Sequence, residues 1–298
     1  MPSVYRDPVT TPAALATDPA AGRGRPVVSL TTDFGARDPS AAICKGVVLT
    51  IAPAVTVIDI THEVAKFQVR DGALVLWCAL PFLPVGVHVA VVDPGVGTER
   101  LPIALETARG DVLVGPDNGL LVPVADRLGG IVRVHELENP AYRLAAVSRS
   151  FHGRDIFAPA AAHVALGVPV TDLGRALDPA ALARLDWPEP RVTPGALETA
   201  VVYVDSFGNV KLAGEPADLA AALGPLQPGD LLALAWIDGS DVRTVEVPWA
   251  ETFGSVPPGA PLVYEDSYGR LCLAANQASV AARLGLRDGL RLTLARAG

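Results

Sequence analysis

Val87-His88-Val89-Ala90-Val91-Val92-Asp93-Pro94-Gly95-Val96-Gly97-Thr98 decides the fold. Its first six residues form an almost continuously apolar, β-branched run, the pattern of a strand covered on both faces in a parallel sheet. The run delivers a carboxylate, a proline and two glycines at its carboxyl end. Upstream, Gln68 to Leu80 reads as a helix ended by Pro81, and Val55 to Ile60 as another buried parallel strand. Ala41 to Ile51 reads as a helix with Ser40 as its cap and Pro53 stopping it, and Pro26 to Leu30 as the first strand. Downstream, strands are expected at Ile103 to Glu106 and Asp111 to Val114. Strands alternating with helices make this an α/β domain with a mostly parallel sheet.

Ligands of such sheets sit beyond the carboxyl ends of the strands. Polar clusters fall at those ends, around Asp33, Asp59 to Glu63 and Asp93. No G-x-G-x-x-G or Walker lysine motif follows any strand, so nucleotide phosphate binding has no support. Farther on, Ile156 to Leu166 reads as an alanine-rich helix. The proline-rich stretch at 188–194 reads as a linker between a larger domain at 26–187 and a smaller one at 195–298. In the latter, short strands separated by Gly or Pro turns suggest a β-barrel-like fold. No internal repeat is evident. Residues 1–25 read as a loose leader without a signal-peptide core.

The chain has 298 residues, 50% of them hydrophobic and 19% charged, which excludes disordered, collagen-like and coiled-coil classes. Its length allows about two domains, and roughly 70–75% of the extended-chain surface can be buried. With 24 Lys plus Arg against 32 Asp plus Glu, the net charge is -8, which disfavours a nucleic-acid partner. Cys44, Cys78 and Cys272 are too dispersed for a disulfide framework or a zinc site and read as small hydrophobes. No apolar run of about 18 residues or more is present, so no membrane span is expected. These features suit a soluble cytoplasmic protein.

Each polar cluster has a bland and a sharp reading. Asp33 either caps a turn or offers paired acceptors to the adjacent hydroxyls of a ribose. Asp93 either closes a loop by pairing with Arg100 or is a rigidly held acid kept ionised by that arginine. In Phe151-His152-Gly153-Arg154-Asp155, Asp155 reads as a helix cap, whereas His152 can relay protons or orient water. His62, His88, His135 and His163 have ordinary roles in packing or at the surface. Asn118, in Gly115-Pro116-Asp117-Asn118-Gly119, can present a donor and an acceptor to a base edge. Asp205-Ser206-Phe207-Gly208-Asn209 is either a β-turn or a site in which Asp205 binds an amine, Phe207 stacks and Asn209 reads a ring nitrogen. Ser267-Tyr268-Gly269-Arg270 raises the same choice.

Taken in order, these segments resemble the S-adenosylmethionine hydroxide adenosyltransferases, relatives of the fluorinating and chlorinating enzymes. The anchors are Thr32-Asp33-Phe34-Gly35, Asp59-Ile60-Thr61-His62-Glu63, Val91 to Thr98, Gly115 to Gly119, Phe151 to Asp155 and Phe207-Gly208-Asn209. The resemblance implies hydrolysis of S-adenosylmethionine to adenosine and methionine by water or hydroxide attack at C5′, without a metal or cofactor. It implies that Asp93, Arg100 and His152 position and activate the water. Asp33 would hold the ribose hydroxyls, with Phe67 as a hydrophobic wall. Asp205 would bind the methionine amine, Phe207 and Asn209 would contact adenine, and Ser267 would help hold the carboxylate. Tyr268 stands where the halogenating relatives carry arginine. A homotrimer with substrate held between neighbouring subunits is implied as well. Two alternatives remain: halogenation at C5′, disfavoured because Asp93 would repel a halide and the fluorinases' extra loop is missing, and a non-catalytic adenosine-binding protein.

Overall fold

Strand β1 (Val27–Thr32) is buried along its whole length. In the computed structural model, which describes residues 25–298, it lies between β2 (Thr56–Thr61) and β3 (Val87–Val91). Both neighbours run parallel to it, as the crossover helices α1 (Ser40–Ile51) and α2 (Val69–Ala79) require. α1 buries Ala41, Cys44 and Val48, spaced along one helical face. Its cap position is taken by Pro39, and Ser40 is its first residue rather than a side-chain cap. Except for Arg25, the expected leader at 1–25 lies outside the described residues.

The chain forms two compact units, the second comprising Asp186–Gly298. The first unit also contains β4 (Pro102–Thr107), β5 (Val112–Pro116), α3 (Val122–Arg127), β6 (Ile131–Glu136), α4 (Ala158–Ala165) and β7 (Ala176–Leu177). Its seven strands are ordered β2-β1-β3-β5-β4-β6-β7. The sheet is mixed, which corrects the expectation of a mostly parallel one: β4 runs antiparallel to both β5 and β6, and β6 to β7. The reason is the short link between β4 and β5, closed by Thr107 N–H donating to Asp111 O at 2.9 Å. So short a connection permits only a hairpin, since a parallel pair needs about a dozen residues of crossover. β2 is also corrected: it is parallel but, as an edge strand, has no fully buried residue.

α1 and α4 cover one face of this sheet, where Leu30, Val89 and Val114 meet Cys44, Val48, Phe157 and Ala161 in one apolar cluster. The expected helix at Ile156 to Leu166 has a different entrance. A single π-helical turn, Gly153–Phe157, precedes α4. Such turns are uncommon and occur often at functional sites.

The second unit contains β8 (Arg191–Thr193), β9 (Ala196–Val204), β10 (Val210–Leu212), α5 (Pro216–Leu223), β11 (Leu231–Asp238) and β12 (Asp241–Pro248). It ends with β13 (Pro261–Glu265), β14 (Leu271–Ala275), α6 (Val280–Leu284) and β15 (Arg291–Arg296). β8 falls inside the stretch read as a linker and pairs with β9. The main path is β12-β11-β15-β9-β10-β14-β13, with antiparallel pairing throughout. A bridge from Trp249 to Val263 curls the two ends of this path toward one another, giving a half-barrel. Among the described residues, no helix is long and apolar enough to cross a membrane.

Candidate active site

β1 and β3 are parallel neighbours, with Thr32 in register with Val91. Their carboxyl ends therefore release Asp33 and Asp93 side by side, and Asp33 N–H reaches Val91 O at 3.4 Å. Both acids line a cavity of about 370 Å³ in the first unit, together with Phe34, Lys66, Phe67, Ser150 and His152 among others. Tertiary folding brings these residues together from four separated loops.

Asp93 is clamped by Arg100. The guanidinium Nε donates to Oδ1 and Oδ2, both at 3.0 Å, and Nη2 donates to Oδ2. Both side chains are nearly buried, at 5% and 9% exposure for Asp93 and Arg100. The same Nη2 lies 2.9 Å from His152 Nδ1, and the guanidinium rests 5.3 Å from the Phe157 ring centroid. Arginine has only donors to offer, so Nδ1 accepts and the neutral imidazole carries its hydrogen on Nε2. Burial, reinforced by the Arg100 charge, pushes the His152 pKa down and favours that neutral form.

Two glycines make this approach possible. Gly97 has φ +77, and a Cβ there would strike the carbonyl oxygen of Arg149. Gly153 opens the π turn, where a Cβ would lie 3.1 Å from the Phe34 ring. Phe34 itself meets Phe151 edge-on at 5.8 Å. Asp155 does not cap α4. It is fully buried and shapes the preceding loop by accepting from Ser148 N at 2.8 Å and from the Arg154 guanidinium.

Asp33 Oδ2 accepts from Phe67 N at 2.9 Å. Phe67 is exposed and has φ +65, a left-handed conformation uncommon outside glycine. Lys66 Nζ donates to the Asp33 carbonyl. Lys66 and Ser150 are cavity residues that sequence reasoning missed, because each is an ordinary polar residue in a loop with no pattern to flag it. Asn118 is not among the lining residues. Its Nδ2 donates to Val92 O at 2.9 Å and its Oδ1 accepts from Leu120 N at 3.2 Å. Its amide thus holds the backbone just before Asp93 and has both functions engaged within the chain.

In the second unit, Asp205 Oδ1 accepts from the backbone N–H groups of Phe207 and Asn209, each at 2.9 Å, and Oδ2 from Asn209 Nδ2 at 2.9 Å. Phe207 is 78% exposed while Asn209 is buried. Ser267 and Tyr268 lie in a turn of the same build. Asp266 Oδ1 accepts from Tyr268 N and Arg270 N at 2.9 and 3.0 Å, and Gly208 and Gly269 both have φ +79. Asp205-Ser206-Phe207-Gly208 and Asp266-Ser267-Tyr268-Gly269 thus form two turns of one design. Asp266 Oδ2 takes the Lys211 ammonium at 2.5 Å, which lies 4.9 Å from the Tyr268 ring centroid.

The family model for the SAM hydroxide adenosyltransferase N-terminal domain matches residues 28–174, and that for the C-terminal domain matches residues 199–293. The chain belongs to the SAM hydroxide adenosyltransferase family. Among its relatives, the (R)-S-adenosyl-L-methionine hydrolase of Salinispora arenicola is 44% identical over 270 residues, covering 90% of this chain and 98% of the relative. The (R)-S-adenosyl-L-methionine hydrolase of Thermus thermophilus is 39% identical, covering 91% and 99%. A fluorinase of Actinoplanes sp. is similar at a lower 31%, covering 92% and 99%. A crystal structure of an uncharacterized conserved protein from Thermotoga maritima superposes with a TM-score of 0.82 at 34% identity, covering 91% of this chain and all of that one. The family is therefore the one that the ordered motifs resemble.

Proposed function

We propose that the chain hydrolyses S-adenosylmethionine to adenosine and methionine by attack of water on C5′. The observation that carries this reading is the Asp93–Arg100–His152 constellation beside Asp33 at the cavity. Asp93 Oδ2 takes two Arg100 donors and Oδ1 only one, so Oδ1 has the freer lone pair for a water hydrogen. His152, neutral and protonated on Nε2, donates to the water oxygen rather than removing its proton. The water oxygen forms the new bond to C5′ as the C5′–sulfur bond breaks. The bond's electron pair stays on sulfur, neutralising the sulfonium, and the water's proton passes to solvent. A leaving group of this quality needs no metal or cofactor. The work of the site is alignment and exclusion of loose water.

In this reading Asp33 accepts from the ribose hydroxyls and Phe67 walls the cavity. Asp205 receives the substrate amine, while Phe207 and Asn209 meet the adenine. The buried Lys211–Asp266 pair and the Ser267–Tyr268 turn lie in the second unit, and Ser267 helps to hold the carboxylate. The proposal places the enzyme in the cytoplasm as a homotrimer. A solution mass of three chains supports that assembly, and a mass of one chain overturns it. The reaction is tested by product analysis with isotopically labelled solvent oxygen, with and without chloride. Adenosine labelled at C5′ and released with methionine supports hydrolysis. A 5′-halogenated nucleoside transfers the assignment to halogenation, and binding without turnover leaves a nucleoside-binding protein.

A further inference from the structure

Behind Asp33 runs a chain of polar groups that the proposed reaction does not use directly. Thr32 Oγ1 accepts from Phe34 N at 3.2 Å, a bond that closes over Asp33 and fixes its backbone. The same oxygen lies 2.9 Å from His62 Nδ1. On the far side of the ring, His62 Nε2 lies 3.1 Å from Asp59 Oδ1 but out of line for a straight hydrogen bond. Asp59 Oδ2 in turn takes the Lys45 ammonium at 2.8 Å. A carboxylate opposite Nε2 selects the neutral tautomer with its hydrogen there, so Nδ1 accepts from the Thr32 hydroxyl. The bonds then run in a single direction, from Phe34 N–H to Thr32 Oγ1 and from the Thr32 hydroxyl to His62 Nδ1, with the Nε2 side of the ring turned toward the Asp59 carboxylate.

Neighbouring bonds tie the same loop to the segment after β2. Gly35 N donates to His62 O at 2.6 Å, and Ala36 N donates to Glu63 Oε1 at 2.5 Å. Asp33 is therefore held on one side by Phe67 N and on the other by the Thr32 turn, whose hydroxyl rotor His62 locks.

We propose that Thr32, His62 and Asp59 are positioning residues that orient the Asp33 carboxylate before ligand binding and so set the preference for a nucleoside with both ribose hydroxyls. The inference rests on the assignment of Asp33 to the ribose in the proposed function. A carboxylate fixed in advance loses less freedom on binding a diol, and the gain exists only where the diol is present.

The test is calorimetric binding of adenosine and 2′,3′-dideoxyadenosine to the full chain. The wild type is expected to prefer adenosine. Thr32→Val is expected to reduce that preference by about tenfold, the scale of one hydrogen bond, with Thr32→Ser restoring it. Asp59→Asn, at a side chain 41% exposed, is expected to reduce it about twofold and covers the case in which the valine variant does not fold. Equal weakening of both ligands, with the preference intact, assigns Thr32 a merely structural role and overturns the inference. An unchanged preference in Asp59→Asn removes Asp59 and the chain's directionality. A wild type that binds both nucleosides equally defeats the ribose assignment itself, whatever the variants do.

Discussion

In the proposed reaction Asp93 Oδ1 and His152 Nε2 are the two atoms on which the chemistry turns, and Arg100 contacts both residues. Replacing Asp93 with Asn is expected to lower kcat by about 10²–10³, the range for losing one preorganised hydrogen-bonding group at the reacting atoms, while adenosine binding measured by calorimetry is retained. His152 gives a pH signature. Burial and Arg100 depress its pKa below the ordinary imidazole value, so kcat/KM should stay level as pH falls through about 6.5 and drop only below the depressed pKa. Protonation would place a hydrogen on Nδ1 facing the Arg100 Nη2 donor. The stability linkage has the same sign: because the folded state binds the proton more weakly, its contribution is complete above the unfolded pKa and is lost as pH falls through the folded one. A rate that falls with the normal imidazole titration would contradict this account of the ring.

At the scale of elements, β1, β3 and the segment entering β5 share a second constellation that does no chemistry. Ser29 Oγ lies 2.7 Å from His88 Nδ1, and His88 Nε2 lies 3.0 Å from Asp111 Oδ1. The order resembles a nucleophilic triad, yet all three residues are sealed within the fold and none lines the cavity. For Asp111, burial raises the pKa but is outweighed by hydrogen bonds from His88 and Arg109, which bring it down to about 2. Asp111→Ala should cost about 1–3 kcal/mol by leaving the buried His88 ring and the part-buried Arg109 guanidinium without their acceptor, read as a lower urea midpoint. The wild-type contribution should be full above about pH 4 and vanish as pH falls toward 2, a loss that the variant lacks. In the loop after β3, Gly97→Ala meets both a positive φ and the Arg149 carbonyl. It should cost about 1–3 kcal/mol and reduce kcat by displacing Asp93.

Over the whole molecule, a net charge of -8 attracts the cationic sulfonium substrate and is indifferent to neutral adenosine. Raising salt from about 0.01 to 1 M shortens the screening length from about 30 to 3 Å. Substrate affinity should therefore weaken with salt more than adenosine affinity does, and equal salt dependence would remove long-range attraction from the account. The division into an α/β part and a β-rich part was legible because hydrophobic period and turn spacing are local properties. Asp33, Asp93 and His152 were legible because each sits in a dense polar run at a predicted strand or helix end. Sheet polarity beyond β5 was not, since it depends on how short a connection folds back. The bonds from both ends of the Asn118 amide to backbone partners were not legible either, and Thr32 and His62 belonged to motifs without a visible link. By itself the sequence determined which chemical groups are available, and in what order along the chain. Only the tertiary structure decided which of them face one another, because the register of parallel strands and the course of loops set distances that no local pattern encodes.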